Sequence, residues 1–91
     1  MTYGIYCIFD EAAGVFTAPT IDISDASAVR NFQKMCQDAG SIMNFKPSDF
    51  SLYKVGDFDA ETAYIDSFSV PSRLFVGSDC SILKEASDEK V

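Results

Sequence analysis

Residues Thr2 to Phe9 would be apolar on both sides of any strand they formed. Side chains alternate along an extended chain, so Tyr3, Ile5, Cys7 and Phe9 share one face, and Gly4, Tyr6 and Ile8 share the other. A strand with one wet face carries polar residues at every second position. This one does not, which predicts a central strand covered on both sides, one of them by a partner subunit if the chain cannot supply two layers. The sequence offers a single amphipathic helix. Ser24 is a fitting N-cap, and Asp25 follows in the first turn, where negative charge suits the helix dipole. Ala28, Val29, Phe32, Met35, Cys36 and Ala39 then recur at helical spacing, with Arg30, Asn31, Gln33, Lys34, Gln37 and Asp38 toward the other side. A helix over 25–39 follows, with Gly40 as its C′ residue. One helix covers one sheet face. The other face, assigned to Tyr6, Ile8 and Tyr53, is left for a second copy, which predicts a homodimer with Tyr6 and Ile8 in the interface.

The rest of the chain reads as short β elements. Asp10 to Gly14 is a turn, with Gly14 able to take positive φ. Val15 to Ala18 is a return strand that Pro19 ends or confines to an edge. Ser41 to Pro47 is a connection with Ile42, Met43 and Phe45 tucked beneath it. In Asp49 to Val55, Phe50 and Leu52 alternate against Ser51, Tyr53 and Val55. A loop over Gly56 to Thr62 joins this strand to a partner over Ala63 to Phe68. Pro71 breaks the chain, and Arg73 to Val76 adds a short strand. The expected fold is α+β: an antiparallel sheet of two hairpins with one amphipathic helix packed on one face. The domain spans 1–77, and 78–91 is an acidic, flexible tail that contributes little to stability.

With 91 residues, 47% of them hydrophobic and eight of them Phe, the chain has the means for one core and little room for two. No apolar run approaches the ~20 residues that span a bilayer, and no basic-then-hydrophobic leader is visible, so a cytoplasmic protein without membrane contact is expected. Cys7, Cys36 and Cys80 form no metal-type or redox-type spacing. They read as two buried thiols and a more exposed Cys80.

Catalytic patterns are missing. There is no histidine, no Gly-x-Ser-x-Gly elbow and no phosphate-cradling glycine loop, so neither an enzyme nor a bound cofactor is expected. Asp57, Asp59 and Glu61 alternate, which would suit a hard cation. Turn chemistry explains them more simply, and no metal site is assigned. A net charge of −7 argues against strong non-specific affinity for nucleic acid. The cations available for phosphate contact are Arg30, Lys34, Lys54 and Arg73, with Tyr53 as the first stacking residue.

The run Pro47-Ser48-Asp49-Phe50 followed by Leu52-Tyr53 and Gly56-Asp57-Phe58-Asp59 resembles the signature of the small nonstructural protein of gokushovirus-type Microviridae, which are single-stranded-DNA phages. That signature reads Pro-Glu-Asp-Phe, Leu-Tyr and Gly-x-Phe-Asp; Ser48 replaces the usual Glu. Upstream, Ile8-Phe9-Asp10 is similar to the family's Ile-Tyr-Asp, and Ala28-Val29-Arg30-Asn31-Phe32 to its Ala-x-Arg-x-Phe. The likeness spans roughly residues 3–76. It implies a phage accessory protein at the switch from viral DNA replication to genome packaging, contacting the replication complex or procapsid proteins, with weak single-stranded-DNA binding. The alternative is an adaptor that contacts only proteins, viral or host.

Overall fold

The computed structural model describes residues 1–80. β1 (Thr2–Asp10) is central, as its two apolar faces require. On one side it pairs with β4 (Phe50–Asp59), and β4 pairs in turn with β5 (Ile65–Val76); every pairing is antiparallel. On its other side β1 pairs with β2 (Val15–Phe16) near its end and with β3 (Thr20–Asp22) near its start. β2 and β3 are thus two halves of one edge strand, interrupted ahead of Pro19. Thr17 bridges the gap. Its N–H donates to the Ile8 carbonyl at 2.8 Å, and its Oγ1 accepts from the Ile8 N–H at 2.9 Å, so Ile8 keeps both backbone partners where the ladder fails. The expected return strand over 15–18 is therefore shorter, and β3 is an element the sequence did not announce. The turn before β2 is as expected: Gly14 has φ 72° and donates to the Asp10 carbonyl.

Helix α1 (Asp25–Gln37) begins as the sequence predicts, with Ser24 Oγ accepting from the Ser27 N–H at 3.1 Å. It ends earlier than residue 39. Asp38 leaves in an extended conformation, and its carboxylate takes the Gly40 N–H at 3.0 Å, so Gly40 is not the left-handed C′ residue. A short second helix, α2 (Ile42–Phe45), follows. Asn44 of α2 donates its side-chain amide to the Cys36 carbonyl, one of those left open at the end of α1. Met43 alone of the expected apolar trio is buried. Ile42 is 75% exposed and Phe45 94%, because one turn of helix can aim only one of these side chains inward.

A 3-10 turn over Pro47–Asp49 leads into β4, whose Phe50 and Leu52 face the core as predicted. β4 runs on through the stretch expected to be a loop. The tight turn after it closes with the Ala63 N–H on the Asp59 carbonyl, Ala63 at φ 62°. β5 is continuous through Pro71, which did not break it. An edge strand needs no N–H on its outer side, and here the proline lies in a bulge, where Phe68 to Pro71 stand against Val55 alone. Val55 is itself bulged against β1 between Ile5 and Tyr6. Bulges bend and twist a strand, and these two lie side by side at mid-sheet, where they curl it.

The core lies between α1 and the sheet. Phe32 is wholly buried among Tyr6, Ala28, Cys36, Met43, Phe50 and Leu52, with Ile8, Leu74 and Phe75 against them. Burial of such an aromatic contributes ~1.5–3 kcal/mol. Cys80 is also buried here, against the expectation of an exposed thiol, so the core runs at least to that residue. The remainder of the expected tail, 81–91, lies outside the described residues.

Tyr6 reaches α1 by lying flat over Gly4. A Cβ at Gly4 would collide with the Tyr6 hydroxyl and ring. Gly4→Ala is expected to destabilise the fold by ~1–3 kcal/mol in urea unfolding, the usual cost of overpacking. Gly40→Ala should stay within ~0.5 kcal/mol of wild type, since only ordinary contact awaits that Cβ.

Candidate functional site

The two faces of the sheet are chemically different. Under α1, the buried Tyr6 hydroxyl donates to Asp25 Oδ1 at 2.6 Å. Lys54 Nζ lies 3.3 Å from the same carboxylate and 3.3 Å from Asp57, with the Phe68 ring 5.9 Å away. Burial, then Asp25, pushes the Tyr6 phenol well above its ordinary range. The Tyr6 hydroxyl holds the Asp25 carboxyl below its ordinary value, against burial and with help from Lys54. Burial alone would lower Lys54, but Asp57 and Asp25 more than offset it, and its pKa rises. The cluster ties β1, β4 and the first turn of α1 together. It also commits Lys54 to two carboxylates.

Among the described residues, the opposite face carries no such layer. The register places Tyr3, Ile5, Cys7 and Phe9 of β1 on it, with Tyr53 and Phe58 of β4 and Ile65 of β5 beside them. Phe9, Phe16 and Tyr53 form an aromatic cluster with ring centroids 4.8 to 6.4 Å apart, and Tyr3 stacks on Phe58. Ile5 and Cys7 floor an apolar groove of about 310 Å³ between Phe16, Val55, Ile65 and Pro71. The floor is already shielded by the curl of the sheet. Phe16 and Ile65 at the rim stay 44% and 60% exposed.

Charge is divided with the faces. Every acidic residue within the strands (Asp10, Asp22, Asp57, Asp59 and Asp66) has the parity of the α1 side. Arg73, opposite Tyr53, is the strand charge with the open-face parity.

The candidate residues fall in separate places. Arg30 and Lys34 lie on the solvent side of α1, away from the Ala28–Phe32–Cys36 stripe. Lys54 is locked under the helix. Arg73 and Tyr53 share the open face. The four cations therefore do not line one groove. Tyr6 and Ile8 are on the helix side, in or against the core, and not on the uncovered face to which the sequence assigned them. Ile5, Cys7, Phe9 and Phe16 hold the open side instead. Their signal was present in the sequence as parity: Asp10 continues the Tyr6–Ile8 series on the helix side, the side on which Asp57 of β4 meets Lys54. The alternation Asp57, Asp59, Glu61 is not one loop. Asp57 pairs with Lys54, Asp59 accepts the Glu61 N–H at 2.9 Å, and Glu61 meets the terminal amine. Among the described residues, no group of three acidic, thiol or imidazole side chains is placed to hold a metal. The Cys36 thiol is pushed up to about 12 by burial and its neighbour Cys80, and burial raises Cys7, so these thiols stay protonated at neutral pH.

No helix among the described residues is long and apolar enough to cross a membrane. A curled antiparallel sheet with a few helices defines a small mixed α/β protein, and the single helix expected from the sequence is joined by the short α2. The profile of the phage ORF5 protein family matches residues 3–80, nearly the whole described chain, and the chain belongs to that family. Comparison with curated proteins and with solved structures gives no match.

The Tyr6–Asp25–Lys54 cluster makes stability pH-dependent with a defined sign. The folded Asp25 value is depressed, so its contribution is fully present above the ordinary 3.8 and is lost as pH falls through the folded value. Asp25→Asn should flatten that part of the acid unfolding curve. Tyr6→Phe should cost ~1.5–3 kcal/mol, as for a hydrogen bond to a charged group, and return the Asp25 carboxyl toward its ordinary value by NMR titration.

Proposed function

We propose that this chain is a nonstructural accessory protein of a gokushovirus-type phage. It acts in the bacterial cytoplasm at the switch from viral DNA replication to genome packaging, through contacts with proteins of the replication complex or procapsid. The lineage rests on the resemblance over residues 3–76; the phage ORF5 family match supports a phage protein. One observation carries the preference for protein contact: the four candidate cations are dispersed over three surfaces, and Lys54 is neutralised by Asp25 and Asp57. A single strand of DNA is held by a continuous basic track with stacking residues along it. Here the aromatics are gathered and the charges are not. Co-purification of viral or host proteins with the tagged chain from infected cells tests the reading directly. Recovery of single-stranded DNA without protein would overturn it.

A second reading has an observation of its own. Tyr53, Phe16 and Phe9 share the open face with Arg73, which is the layout of a stacking platform with one phosphate contact. A salt titration of oligonucleotide binding separates the two. The protein-contact reading predicts no binding at moderate salt. Stacking on the open face predicts weak binding with a log–log slope near about −0.7, one phosphate on a single strand. It would be abolished by Arg73→Ala with Tyr53→Ala and unchanged by Arg30→Ala with Lys34→Ala. A slope near about −3 lost in the Arg30/Lys34 variant would contradict both readings, since it requires all four cations to converge.

A further inference from the structure

We propose that the open face of the sheet is closed by a second copy of this chain, sheet against sheet about a two-fold axis. Three observations lead there. The first is the apolar groove over Ile5 and Cys7, walled by Phe16 and Ile65, on a sheet of which, among the described residues, only the other side is covered by a helix. A sheet face of this composition is the inner face of a layered structure, with a second sheet ~10 Å away.

The second observation is the charge partition. The chain carries 14 acidic residues and a net charge of −7, so two copies repel each other over most of their surface. The strand carboxylates all have the parity of the helix side, which leaves the open face as the place where two like-charged copies meet without opposing carboxylates. A basic partner would be drawn to the acidic surface elsewhere, and a strongly acidic one would find Arg73 as its single strand cation on this face. An apolar face free of strand carboxylates, with Arg73 on the outer strand β5 as its one strand charge, lets two acidic copies meet where their repulsion is least.

The third is shape. A two-fold interface brings residue i onto residue j and j onto i, so it needs both a projection and a recess within one patch. The face offers both: Phe16, 44% exposed, forms part of the rim, and the recess of about 310 Å³ that it helps to line lies between it, Val55 and Ile65. Reciprocal insertion of Phe16 would bury the exposed rings and place Arg73, on the outer strand β5, at the wet margin of the interface. Closure also withdraws Tyr53 from nucleic acid, so the dimer and stacking of bases on this face exclude one another. The proposal does not depend on the functional reading above, which would survive with a monomer.

Sedimentation of the full chain tests it. Wild type should be dimeric at tens of micromolar, and Phe16→Asp or Ile65→Asp should weaken self-association more than ~100-fold, since a charge is then buried unpaired. Both residues are rim-exposed, so the circular dichroism of the variants should match wild type. Ile42→Asp, on an exposed helix elsewhere, should leave the dimer intact. Isotope-filtered NOEs in mixed-label wild type give an answer independent of the variants: Phe16 ring protons should contact Ile5 or Val55 of the other copy. A wild-type monomer at high micromolar concentration, or a dimer that survives both rim substitutions and shows no such NOEs, would overturn the proposal.

Discussion

The hydrogen bond from Tyr6 to Asp25 decides how this molecule is built. A tyrosine in the middle of a central strand brings a hydroxyl into the core, and an unpaired buried hydroxyl costs stability. Asp25 answers it from the first turn of α1, where the helix dipole already favours a carboxylate. Lys54 then neutralises Asp25 from the neighbouring strand, and Asp57 satisfies Lys54. The buried Tyr6 hydroxyl is the member that needs its partner; Asp25 and Asp57 are partly open to solvent, and Lys54 adds to the link without being a condition of it. The chain of contacts fixes which face of β1 the helix covers, and so which face stays open. The glycine at position 4 belongs to the same arrangement, because only a residue without a side chain lets the Tyr6 ring lie along the strand toward α1.

The elements with strong local signals were legible in the sequence. Ser24 and the Ala28–Phe32–Cys36 stripe place α1, Gly14 places the first turn, and the alternation of Phe50 and Leu52 places β4. The failures share a cause: local rules were applied where tertiary pairing decides. Pro71 looks like a breaker, but an edge strand with a bulge has no hydrogen bond there to lose. Gly40 looks like a helix cap, but Asp38 supplies the capping contact first. β3 has only three residues, and it exists because β1 leaves an edge to be paired. The reversal of the two faces is the most instructive. Tyr6 and Ile8 against Ile5 and Cys7 is a choice between two apolar sets, and hydrophobicity alone cannot make it. The parity of the strand carboxylates can, because all of them gather on the side of Lys54 and the α1 N-terminus.

That same partition bears on function. A protein of this acidity that worked by gripping DNA would have to concentrate its few cations, and among the described residues this fold disperses the four candidates. Arg30 and Lys34 face solvent from α1, Lys54 is consumed within the structure, and Arg73 stands apart on β5. What the fold concentrates instead is apolar and aromatic surface free of carboxylates. Membership of the phage ORF5 family sets the context.

The central claim is that the sheet has one structural face and one working face. Hydroxyl-radical footprinting compares the dilute, isolated protein with the complex recovered from infected cells. The account predicts protection at Phe16, Tyr53 and Ile65 on assembly, with Arg30 and Lys34 unchanged. Protection confined to the outer side of α1, with Phe16 and Ile65 as reactive as in the free chain, would contradict it.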